Sequence, residues 1–128
     1  MILIIDFGSQ VTQLIARRIR ELSVFCEIIP WDADILNTKS ISEAKALILS
    51  GGPDSTRVKK SPTVSKRIFD INIPILGICY GHQLICKILG GKISKSEKRE
   101  FGKTIIRRNS KNQSLLLKDL FKNKLRSK

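Results

Sequence analysis

Short apolar runs, each closed by a turn, recur along this chain as far as Gly91; helical spacing follows the first, third and fourth, and a less regular segment follows the second. The first is Ile2–Asp6, closed by Phe7-Gly8-Ser9. Residues 24–30 form a second, ended by Pro30-Trp31-Asp32. Residues 45–50 form a third, ended by Gly51-Gly52-Pro53, and residues 74–78 a fourth. Each has the length and composition of a buried strand. After the first, Val11, Leu14, Ile15, Ile19 and Leu22 share one helical face, with Arg17 and Arg20 turned largely away. Ser9 stands where a helix cap is wanted. A second helix is expected over 62–69, with Pro62 in its first turn. A third is expected over 81–89, carrying Leu84, Ile85, Ile88 and Leu89 and ended by Gly90-Gly91. Strands alternating with helices in this way imply an α/β fold, an open parallel sheet with helices on both faces.

Beyond Gly91 the pattern changes. Residues 92–94 and 103–108 read as short strands of antiparallel style, and 115–125 as a very basic helix. A compact α/β domain of this type normally continues into another core strand, and none follows. The fold is therefore expected to be incomplete at its C-terminus, with a sheet edge or apolar face uncovered. Poor solubility or dependence on a partner is the expected consequence.

The length of 128 residues suits one domain with a real core. No apolar run reaches membrane-spanning length, and MILIID lacks the basic residues that open a signal peptide. Three cysteines, Cys26, Cys79 and Cys86, lack metal-type spacing. They argue against a disulfide scaffold or zinc site and for a reducing, cytoplasmic setting. The net charge of +13 is one-sided. Residues 1–50 hold five Lys/Arg against six Asp/Glu, and residues 51–128 hold nineteen against five. That excess suits an anionic partner or simply a solvated lysine-rich face. Only Phe101 and Phe121 accompany the most basic stretch, so no base-stacking platform is visible and nucleic acid is disfavoured.

Gly77-Ile78-Cys79-Tyr80-Gly81 has the form G-x-C-x-G. A sharp strand-to-helix turn holds such a nucleophile in strained backbone, so its neighbours must be small. The sulfur then lies at a helix N-terminus, whose free N–H groups stabilise an anion. The N–H of Tyr80, the next residue, points where an oxyanion forms. The alternative is a cysteine packed in a glycine-rich turn. Cys26 and Cys86 lack this context and read as packing residues. His82, the chain's single histidine, sits on the first turn of the helix. It is badly placed to act as base while a third group orients its far nitrogen, and it reads as a packing or hydrogen-bonding residue. Ser50-Gly51-Gly52-Pro53-Asp54-Ser55, at the carboxyl end of the third strand, reads either as a plain turn or as an oxyanion donor or anion nest. Beside an elbow the second reading gains, because ligands of open α/β sheets sit at strand carboxyl ends.

Together these motifs resemble a known family. Gly77-Ile78-Cys79-Tyr80-Gly81-His82-Gln83 is similar to the active-site signature of the class I glutamine amidotransferases. Asp6-Phe7-Gly8-Ser9-Gln10, running on through Thr12 to Glu21, resembles the opening of their GMP synthase branch. Ser50-Gly51-Gly52-Pro53-Asp54-Ser55 and Arg99-Glu100-Phe101-Gly102 fit the same branch. The resemblance implies a flavodoxin-like fold and a definite chemistry. Cys79 attacks the side-chain amide carbon of glutamine, N–H groups of Gly52 and Tyr80 hold the oxyanion, and Gln83 helps bind the substrate. Ammonia leaves, water hydrolyses the glutamyl thioester, and ammonia passes to a synthetase domain or subunit that aminates xanthosine monophosphate to GMP. No cofactor or metal is implied for this domain; ATP and Mg belong to the synthetase part.

The departure from the family is large. Its members complete a triad with a His-x-Glu segment late in the domain, and this sequence has no second histidine; Glu97 and Glu100 precede the expected place. Residues 1–128 are therefore expected to form a partial amidotransferase domain, with synthetase and dimerisation domains absent, from a truncated frame, a fragment or a split gene. Alone, such a chain is expected to be inactive. The competing reading is a non-catalytic binding or regulatory remnant that docks through its basic region. A cysteine hydrolase of the α/β-hydrolase type also fits G-x-C-x-G but leaves DFGSQ and REFG unexplained.

Overall fold

The computed structural model describes residues 1–52 and 61–92, together with Leu116. All of these but Leu116 lie in one compact unit, Met1–Ser94. Of the second unit, Lys95–Lys128, only Leu116 is described, an exposed residue in a turn. The strands expected at 92–94 and 103–108, the helix at 115–125 and the REFG segment fall outside the described residues; Lys92, which is described, carries no regular structure.

The four expected strands form: β1 Ile2–Asp6, β2 Cys26–Pro30, β3 Ala46–Leu49 and β4 Ile75–Gly77. They pair in the order β2-β1-β3-β4, all parallel. Ile5, Leu49 and Gly77 lie side by side across the last three strands. Alternation along each strand separates two cores. Leu3, Ile5, Leu47 and Leu49 face one side, where they meet Ile35, Ile41, Ile68, Tyr80 and Leu84. Ile4 and Ile48 face the other, against Ala16 and Cys26. Helix α1, Val11–Glu21, covers this second face, while α2, Lys39–Glu43, and α3, Tyr80–Ile88, cover the first.

From β1 the chain runs outward to β2, then returns across the sheet to β3 and on to β4. The strand order thus reverses between β1 and β3, the place where ligands of open α/β sheets generally bind, at the strands' carboxyl ends. Three segments meet this end of the sheet: residues 7–9 after β1, 50–52 after β3 and 78–79 after β4.

Two helical expectations need correction. The buried face of α1 centres on Thr12 and Ala16, flanked by half-buried Val11, Ile15 and Ile19; Leu14 is 59% exposed and Leu22 76%. Close approach to the sheet needs small side chains, so Ala16 rather than a leucine lies against Ile4 and Ile48. Arg17 does point away, pairing with Glu21 at the surface as Arg18 also does, while exposed Arg20 reaches back to the Cys26 carbonyl at 3.4 Å. The expected helix at 62–69 is a short 3₁₀ segment, Lys66–Ile71. Ser65 is extended (φ −62°, ψ 137°) and its hydroxyl accepts the Arg67 N–H, so the helical turns start there and not at Pro62. Asn72 ends the segment in the left-handed region (φ 64°). Strand β2 starts at Cys26 because Ser23 (φ 62°) turns the chain first. The third helix ends as expected, with Gly90 at φ 92° and the Gly91 N–H on the Cys86 carbonyl.

These assignments separate two large apolar residues, one buried and one exposed. Ile68→Ala, at a site 1% exposed, is expected to cost roughly 2–5 kcal/mol in denaturant unfolding, and Leu14→Ala less than about 0.5 kcal/mol. Equal losses would restore the leucine-centred face.

Candidate active site at the carboxyl end of the sheet

Cys79 has φ 54° and ψ −118°, in the positive-φ region that side-chain-bearing residues rarely enter. It is the N-cap of α3, and its carbonyl accepts the N–H groups of His82 and Gln83. The flanking glycines are required by contact. A Cβ at Gly77 would come within 2.7 Å of the His82 Cα, and one at Gly81 would overlap the Leu49 carbonyl. The Gly81 N–H instead donates to the Ser50 carbonyl at 3.0 Å, which seats the turn on the end of β3. Cys79 is exposed, Cys86 partly so and Cys26 buried; all three are free thiols.

The second predicted segment lies against the first. A Cβ at Gly52 would stand 2.6 Å from the Phe7 Cβ and 3.2 Å from Cδ1 of Tyr80. Among the described residues, the N–H groups of Gly51, Gly52, Cys79 and Tyr80 donate to no acceptor. Pro53, Asp54 and Ser55 fall outside the described residues. The Tyr80 side chain is buried, its ring 5.4 Å from that of Phe7 and its hydroxyl donating to the Pro62 carbonyl. Burial pushes its pKa above the ordinary 10.0, and a hydrogen bond with Ser61 partly opposes this.

Gln83 is half-buried, and its Oε1 is buried with no hydrogen-bond partner among the described residues. Such an oxygen is costly unless a donor reaches it. The His82 ring is exposed and lies with Nε2 3.8 Å from the Cys86 Sγ one turn further on. The ring makes no hydrogen bond to Cys79 among the described residues. No group of three metal-binding side chains occurs among the described residues, and no helix there is long and apolar enough to cross a membrane.

Sequence reasoning missed a polar cluster under the site. Asp6 Oδ1 accepts the Gly8 N–H at 2.8 Å and the Thr12 hydroxyl at 2.9 Å, and Thr12 Oγ1 is 2.5 Å from Ser50 Oγ. Thr12 and Ser50 are buried. The available signal was a threonine four residues before Ala16, on the face that meets the sheet.

The parallel sheet thus carries a positive-φ cysteine turn after β4 and a glycine pair after β3 at one end. The model of the family described as glutamine amidotransferase class-I matches residues 3–127, and the chain belongs to that family. Its relatives narrow the branch. It is 54% identical over 105 residues to the GMP synthase [glutamine-hydrolyzing] of Phenylobacterium zucineum, covering 82% of this chain and 20% of that protein. It is 50% identical over 111 residues to the Clostridium tetani enzyme of the same name, covering 87% and 22%. A crystal structure of a Thermoplasma acidophilum protein, described as a putative GMP synthase subunit, superposes with a TM-score of 0.67 at 39% identity, covering 80% of this chain and 51% of that one. The chain thus spans about a fifth of the length of the curated relatives it matches.

Tyr80 is the chain's single tyrosine, so tyrosinate absorbance reports on it alone. It is expected to titrate above 10.0 in the folded chain and near that value in denaturant. A raised folded pKa means that the unfolded state releases its proton first. The stability it contributes is therefore complete below pH 10 and is lost as pH rises through the folded pKa. Tyr80→Phe should flatten that alkaline decline; an unchanged slope would assign it to other groups.

Proposed function

We propose that this chain carries the glutamine-attacking part of the amidotransferase site of a GMP synthase. The observation that carries the reading is the backbone of Cys79, at φ 54° and ψ −118°, on a turn whose glycines press against β3. Strain of this kind persists only where surrounding contacts enforce it, and it lifts a side chain clear of the sheet end. In this reading the Cys79 thiolate adds to the side-chain amide carbon of glutamine. The carbonyl electron pair moves onto oxygen, and the N–H groups of Gly52 and Tyr80 hold the resulting oxyanion. Those N–H groups have no other acceptor among the described residues, which suits the role. When the oxyanion collapses, the amide nitrogen takes a proton and leaves as ammonia, and a glutamyl thioester remains on Cys79. Water then adds to the thioester, releasing glutamate and restoring the thiol. Gln83 offers a buried oxygen to a donor on the substrate.

Both proton transfers need a general acid–base group, worth roughly 10²–10⁴-fold in rate. The sequence has one histidine, and its ring stands beside Cys86. We therefore read the chain as a partial amidotransferase domain that works with further residues and with a synthetase domain or subunit supplied separately. That synthetase would consume the ammonia in converting xanthosine monophosphate to GMP, using ATP and Mg. The three free thiols accord with a cytoplasmic setting.

The 128-residue chain alone is expected to release negligible glutamate from glutamine. Diazo-oxo-norleucine, a glutamine-like electrophile, is nevertheless expected to alkylate Cys79 faster than Cys26 or Cys86, as mapped by mass spectrometry. Steady turnover abolished by Cys79→Ala would overturn the first expectation. Labelling no faster at Cys79 than at Cys86 would refute the elbow, and the non-catalytic docking reading would take its place.

A further inference from the structure

The segment after β1 is absorbed by no step above, yet it lies under both halves of the site. Asp6 Oδ1 takes the single hydroxyl hydrogen of Thr12 at 2.9 Å. Thr12 Oγ1 therefore has no hydrogen left for Ser50, 2.5 Å away, and the Ser50 hydroxyl must donate to it. The chain of donors runs one way, from Ser50 through Thr12 to Asp6. Ser50 is fully buried and held at two further points: its N–H donates to the Ile5 carbonyl at 3.1 Å, and its carbonyl accepts the Gly81 N–H at 3.0 Å. It is thus tied to β1, to α1 and to the turn that carries Cys79. The residues after it are packed from the same side. A Cβ at Gly51 would lie 3.0 Å from the Ser9 Oγ, and one at Gly52 2.6 Å from the Phe7 Cβ.

We infer that Asp6, Thr12 and Ser50 are positioning residues that hold the Gly51-Gly52 backbone in register with the Cys79 elbow. The Thr12 hydroxyl is the joint between them. The inference rests on the proposed function for its chemical consequence, since it makes the placement of the Gly52 N–H depend on a hydroxyl that never meets substrate. Burial makes the chain one-directional in effect as well. Removing the Thr12 hydroxyl takes from the buried Ser50 hydroxyl its acceptor, so Ser50 must turn or shift, and its neighbours in sequence shift with it.

The test compares Thr12→Val, Thr12→Ser and Ser50→Ala in the full 128-residue chain. Amide spectra and hydrogen exchange read the geometry without activity. In Thr12→Val and Ser50→Ala, the Gly51 and Gly52 resonances are expected to shift and the Gly81 N–H to exchange at least about tenfold faster, with the Ile4 and Ile28 amides unchanged. Thr12→Ser, which keeps the hydroxyl, is expected to match the parent chain. Should Thr12→Val fail to fold, Ser50→Ala, which keeps the Thr12–Asp6 bond, decides alone. Labelling of Cys79 by diazo-oxo-norleucine is expected to fall about tenfold or more in Thr12→Val, while labelling by iodoacetamide changes less than about twofold. Unchanged Gly51, Gly52 and Gly81 amides, or a Thr12→Ser variant behaving as Thr12→Val does, would overturn the positioning role. If the parent chain resists diazo-oxo-norleucine, the amidotransferase reading fails, and the amide pattern still decides the positioning role by itself.

Discussion

The site depends on how closely the turn after β4 lies against the end of β3. The Gly81 N–H meets the Ser50 carbonyl at 3.0 Å, and no side chain fits between Gly81 and Leu49. That approach fixes where α3 starts and therefore where Cys79 must bend. The positive φ of Cys79 is the consequence: the chain leaves the half-buried strand β4 and enters a helix within two residues, through a strained residue. The same approach brings the Tyr80 ring beside Gly52, where a Cβ would stand 3.2 Å from the Tyr80 Cδ1, so the two candidate oxyanion donors become neighbours.

Around that bond the fold supplies rigidity on both sides of the sheet. Phe7 and Tyr80 stack at a tilt beneath Gly52 on the face that α3 covers. Thr12 reaches the end of β3 from α1, which covers the other face. Two helices from opposite faces thus converge on residues 50–52. This follows from the strand order, which places β1 and β3 side by side at the point where the chain reverses direction across the sheet.

Much of this was legible in the sequence. Ile2–Asp6 and the apolar core of the third run read as strands because short unbroken apolar runs bounded by turns suit sheets buried on both faces. Gly77 and Gly81 were read as small neighbours of a strained residue, and their contacts are the clash that the reading invoked. The face of α1 was misread because periodicity weights large apolar residues, whereas the sheet accepts Thr12 and Ala16 at closest approach. The helix expected at 62–69 shrank because Ser65, a capping residue inside the run, stops helical hydrogen bonding short of Pro62. The polar cluster was illegible for a different reason: Asp6, Thr12 and Ser50 are joined by the fold, 38 residues separating Thr12 from Ser50. His82 illustrates the converse, since proximity in sequence to Cys79 did not make it a partner and its ring sits with Cys86.

The central claim is that the elbow and the glycine pair form one oxyanion site. A crystal structure of the chain alkylated at Cys79 by diazo-oxo-norleucine tests it most directly, because the ketone of the adduct stands where the amide oxygen of glutamine would. The account predicts that this oxygen lies about 3 Å from the N–H groups of both Gly52 and Tyr80. A ketone oxygen turned to solvent, or held by one of these groups with the other facing away, would contradict it.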